Sequence, residues 1–113
     1  MTDAADIRPY LIHKLKETNG FWSYDKDSIT DIPNGLLVEL VMLHLDLEEI
    51  NLLFRLFPFK ELKRLWIENV VAQGERYHTL NRFFAWYYFH AKRPDSYVRA
   101  MATRQLRQKI RNK

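Results

Sequence analysis

Four histidines, at positions 13, 44, 78 and 90, are the side chains of this sequence best suited to hold a metal ion. Helical metal ligands must converge on one ion, so they stand at i, i+3 or i+4, or beside clustered acids. No two of these histidines are spaced that way, and there is no HExxH. Phosphate cradling needs a glycine-rich loop, but the three glycines are scattered, each beside a turn. Ser23, Ser28 and Ser96 lack the context of a nucleophile elbow. The acid pairs Glu48-Glu49 and Asp25/Asp27 suit caps and turns better than proton transfer. With no cysteine there is no thiolate and no disulfide. The expectation is a protein that is not an enzyme and takes neither cofactor nor metal.

The side chains that remain are those of recognition. Sixteen residues are aromatic, and six of the seven from Phe83 to Phe89 are. Tyrosine and tryptophan suit contact faces because they are large, stiff and polar at one end. A second cluster, Phe21-Trp22-Ser23-Tyr24-Asp25, places three aromatics in a polar stretch. It reads either as a plug that anchors the N-terminal arm or as a recognition loop. The candidate partner-binding residues are therefore Phe21, Trp22, Tyr24, Tyr87 and Tyr88. Charge supplies a rival. From Lys92 onward there are eight Lys/Arg and one acid, a net +7 that leaves −3 for residues 1–91 of the total +4. Arg99, Arg104, Arg107 and Arg111 are then candidates for phosphate contact. A solvated helix end is the plainer account of the same residues.

These side chains need elements to hold them. Leu80, Phe83, Phe84 and Tyr87 fall at i, i+3, i+4, i+7, which predicts a helix from about Tyr77 to Ala91 with Thr79 as its N-cap. It is apolar nearly all round, so it should be the central helix, with Trp86 in the core. Upstream, Ile7, Leu11 and Leu15 predict a short helix with Pro9 in its first turn. Pro33 suits N1 of a helix to about Leu45. Asp46 and Glu49 form a capping box for the next helix, with Ile50, Leu53, Phe54 and Phe57 as its core face and Pro58 as its stop. Leu62, Leu65, Trp66 and Val70 stripe a fourth helix, which Gly74 ends. Pro94 breaks the chain, and Asp95 caps a last helix to about Ile110. Its apolar edge is Val98, Met101, Ala102, Leu106 and Ile110. The predicted fold is all-α, a compact single-domain bundle of five or six helices around the aromatic helix. Residues 1–6 form a frayed N-terminus, and residues 95–113 hold the basic C-terminal helix.

No apolar run reaches 18 residues, and the acidic N-terminus lacks the features of a signal peptide. The absence of cysteine fits a reducing compartment. A cytoplasmic location without membrane contact is the expectation.

Four stretches carry a resemblance: Phe21-Trp22-x-Tyr24-Asp25, Leu52-Leu53-Phe54-Arg55, Trp66-Ile67-Glu68-Asn69 and Leu80–Phe89. Together they resemble a family of short bacterial proteins of the Bacteroides group, over roughly Phe21 to Met101. Phe21, Trp22, Asp25, Leu80, Asn81 and Phe83 are also distantly similar to antitoxin-like proteins encoded beside nucleotidyltransferase-type toxins. Those share an FW-x-x-D opening and an L-N-x-[FW] segment. The resemblance implies a non-catalytic protein-binding role in a two-gene module. The partner would be a toxin or a second copy of the chain. The alternative is nucleic-acid binding through the basic C-terminal helix.

Overall fold

The computed structural model describes residues 4–18 and 31–111. Six α-helices and one 3-10 segment occupy these residues, and no strand is among them, so the all-α class and the helix number match the sequence reading. Phe21, Trp22 and Tyr24 lie outside the described residues. Contacts group the chain into two compact units, Met1–Leu62 and Lys63–Lys113.

In the first unit α1 (Ala4–Glu17), α2 (Asn34–His44) and α3 (Leu47–Leu56) pack on one another pairwise. Ile7, Leu11 and Leu15 recur every fourth residue along α1 and are fully buried. That helix starts at Ala4, earlier than Ile7, so Pro9 sits inside it rather than in its first turn. One i→i−4 bond is lost there. The Arg8 guanidinium holds α1 to the start of α2. Nε donates to Asp31 Oδ1 at 2.8 Å, one terminal nitrogen donates to Asn34 Oδ1 at 2.8 Å, and the other donates to the Ile32 carbonyl. Asp31 Oδ1 also accepts the Ile32 N–H at 2.9 Å. The guanidinium hydrogen bond, then the backbone one, holds the Asp31 carboxyl below the usual carboxylate range. Pro33 is the N-cap of α2 rather than its first residue, and it offers no capping side chain; Arg8 and Asp31 order the chain just before it.

The α3 start is as the sequence predicts. Asp46 and Glu49 form a capping box, with Glu49 Oε1 accepting the Asp46 N–H at 3.1 Å. Ile50, Leu53 and Phe57 are buried, and Phe54 faces the Phe59 ring at 6.4 Å. Phe57, before Pro58, is the C-cap in extended conformation, as a residue preceding proline prefers.

Helix α4 (Phe59–Asn69) begins in the first unit and runs into the second. Its expected stripe of Leu62, Leu65, Trp66 and Val70 is buried throughout. The 3-10 segment Val71–Tyr77 follows, bent at Gly74, whose φ of 85° suits a residue without Cβ. Then come α5 (His78–Tyr87) and α6 (Pro94–Arg111); both pack on the 3-10 segment and on each other.

Candidate functional site

Trp66 carries the buried side of the site. Its indole is fully buried and stacks on Phe89, with ring centroids 4.6 Å apart, while the Tyr97 ring lies parallel to it at 6.4 Å. A buried indole N–H needs an acceptor, because an orphaned one carries the full desolvation cost. Asn81 Oδ1 accepts it at 2.9 Å, and Asn81 Nδ2 reaches the Val70 carbonyl at 3.4 Å. Among the described residues no buried side-chain polar atom is left without a partner.

This pair of bonds sets the rotation of α5. Asn81 must face inward, and Phe84, Ala85 and Tyr88 share its face at i, i+3, i+4, i+7; all four are buried. The hydrophobic pattern alone selects Leu80, Phe83, Phe84 and Tyr87, a stripe rotated by one residue. This rotation changes the setting of three aromatics. Trp86, expected in the core, is 60% exposed, and Tyr87 is 48% exposed. Tyr88, expected on the contact face, is only 9% exposed. Burial pushes its hydroxyl up, with a smaller push from Tyr87.

The end of α5 is also earlier than predicted. The Phe89 N–H bonds the Phe84 carbonyl at 3.3 Å and the Ala91 N–H bonds the Ala85 carbonyl at 2.9 Å. This widened turn closes through His90 at φ 57°, the left-handed region. It turns Phe89 back onto Trp66.

The outward face of α5 is an aromatic row held by its own contacts. Phe83 and Tyr87 stack with centroids 5.2 Å apart, and Trp86 lies 6.3 Å from Phe83 and 6.1 Å from Tyr87. Thr79, Arg82, Phe83, Trp86, Pro94 and Asp95 line a shallow recess beside it.

Polar groups fix the start of α6 against α5. His78 Nε2 lies 2.7 Å from Asp95 Oδ1. Arg99 Nε donates to Asp95 Oδ2 at 3.2 Å, and its terminal nitrogen donates to Glu75 at 3.1 Å. The His78 hydrogen bond, then Arg99, holds the Asp95 carboxyl below the usual carboxylate range. Arg99 is therefore committed to structure. Arg104, Arg107 and Arg111, the other three predicted phosphate contacts, are exposed and pair with no described residue. The remaining histidines lie elsewhere: His13 pairs with Glu17 at 2.7 Å, and His44 closes α2. Among the described residues no three His, Asp or Glu side chains gather to hold a metal. Among them, too, no helix is long and apolar enough to cross a membrane.

No protein-family model, curated protein or solved structure matches the chain.

Proposed function

We propose that the chain is a non-catalytic protein-binding module of the cytoplasm that grips its partner with the aromatic row of α5. The observation that supports this reading is the exposure of Trp86 and Tyr87 on a row whose rings already hold one another in place. Such anchors lose little side-chain freedom on binding, and truncating one at the centre of an interface costs about 2 kcal/mol or more. Tyr88 leaves the contact set because it is buried, and Trp86 and Phe83 join it. The resemblance to antitoxin-like proteins gives the partner its class, a toxin encoded beside this chain. Co-expression with the product of the neighbouring gene, followed by native purification, tests the reading. A complex should form with the natural chain and be lost with Trp86→Ser/Tyr87→Ser. Equal recovery with the variant, or no complex at all, counts against it.

The competing reading is phosphate contact through α6; it is favoured by the exposure of Arg104, Arg107 and Arg111, none of which pairs with a described residue. Its binding would weaken linearly in log–log salt with a slope of about −0.9 per contact on duplex, and Arg104→Ala/Arg107→Ala would reduce that slope by about two. No binding at about 50 mM salt would end it.

A further inference from the structure

The C-terminal half of α6 carries a second surface of different chemistry. Leu106 and Ile110 stand one turn apart and are 59% and 65% exposed. At about 100° per residue they subtend only about 40° of the helix. Arg107, Arg111 and Arg104 follow within about 160° of Leu106 on one side, and Lys109 lies about 60° away on the other. Residues 103–111 hold these four cations and no acid. None of the four forms an ion pair with a described residue.

We propose that this face docks an acidic amphipathic helix of a partner protein, one that offers a narrow apolar row edged by Asp and Glu. Charge complementarity selects the partner's sign, and the apolar row selects its form. A row at i, i+4 is a ridge that fits the groove of one facing helix. An anionic bilayer would ask for a helix with a strong apolar face set with several large residues, more than the two present. A phosphate backbone would use the cations and leave Leu106 and Ile110 bare in water. Pairing with α6 of a second copy would set four cations against four.

The probe is a synthetic helix-forming peptide of about 20 residues, with Leu and Ile at i, i+4 flanked by Glu. Its control has the same composition with the apolar residues dispersed. Binding to the full chain is read by anisotropy of the labelled peptide. The patterned peptide should bind about tenfold or more tighter than the control, and Leu106→Gln/Ile110→Gln should remove that difference. Arg104→Gln/Arg107→Gln/Arg111→Gln should weaken binding and flatten its salt dependence. All five side chains are exposed, so circular dichroism should be unchanged in both variants. Trp86→Ser should leave peptide binding intact, which keeps this outcome separate from that of the α5 face. Equal binding of the two peptides, or an unaffected Leu106→Gln/Ile110→Gln variant, would overturn the proposal. So would preferential binding to duplex DNA or to phosphatidylserine vesicles in the same assay, or a dimer that dissolves in that variant.

Discussion

Replacing Asn81 by Leu tests whether a single amide fixes the rotation of α5. The substitution keeps the side chain's approximate size and removes the acceptor of the Trp66 N–H. The orphaned indole N–H should cost about 1–3 kcal/mol. The Val70 carbonyl loses only a long bond of 3.4 Å, so its share is small. Burying a leucine in place of an amide offsets part of this, which leaves a net loss of about 1–2 kcal/mol. Trp66→Phe removes the donor instead and orphans the Asn81 oxygen, with a void where the second ring stood. The double variant orphans neither group. The two losses should therefore fail to add, with a coupling of about 1–2 kcal/mol. Urea unfolding followed by far-UV circular dichroism measures all four corners of the cycle without relying on the deleted tryptophan. A coupling below about 0.5 kcal/mol, the usual scatter of independent sites, would mean that the bond does not hold α5 and that the stripe has another cause.

Trp86→Ala should change stability by no more than about 0.5 kcal/mol, the range for exposed positions, whereas Trp66→Ala should cost about 3–5 kcal/mol; thermal melts of the two compare them directly. His90→Gly should raise stability by about 0.5–1 kcal/mol, because glycine takes the left-handed conformation without the Cβ clash and gives back only part of that gain as chain entropy; a lower urea midpoint would contradict the turn described at the end of α5. Asp95→Asn should flatten the acid limb of a stability–pH curve. The folded carboxyl titrates below its ordinary value, so its contribution is present above about pH 4 and is lost as pH falls through the depressed pKa. The variant should be less stable than the natural chain at pH 7 and converge on it in acid; parallel curves would show that the His78 and Arg99 contacts carry no weight.

The helices were legible because proline, the capping box and i, i+4 spacing act locally. Pro58 stops α3, Asp46 and Glu49 start it, and the α4 stripe needs only its own residues. The face of α5 was not legible in the same way. A hydrophobic pattern counts apolar residues, and the residue that decides this face is a polar one whose partner lies 15 positions away. Once Asn81 is placed inward, the buried row and the exposed Trp86 follow by arithmetic. The end of α5 is hidden from the sequence for a related reason. The turn there uses a histidine at positive φ where the usual marker would be glycine. Arg99 looked like its neighbours on α6, and only the fold brings Glu75 to it across 24 positions.

The opposite placements of Trp66 and Trp86 also equip the chain with two optical reporters. Trp66, enclosed and stacked, should resist aqueous quenchers until the second unit opens. Trp86, in water, should be quenched from the start and become shielded only when something covers α5. With Trp22→Phe removing the third indole, quencher accessibility would separate unfolding from partner engagement in one sample, with no label attached to the surface under test.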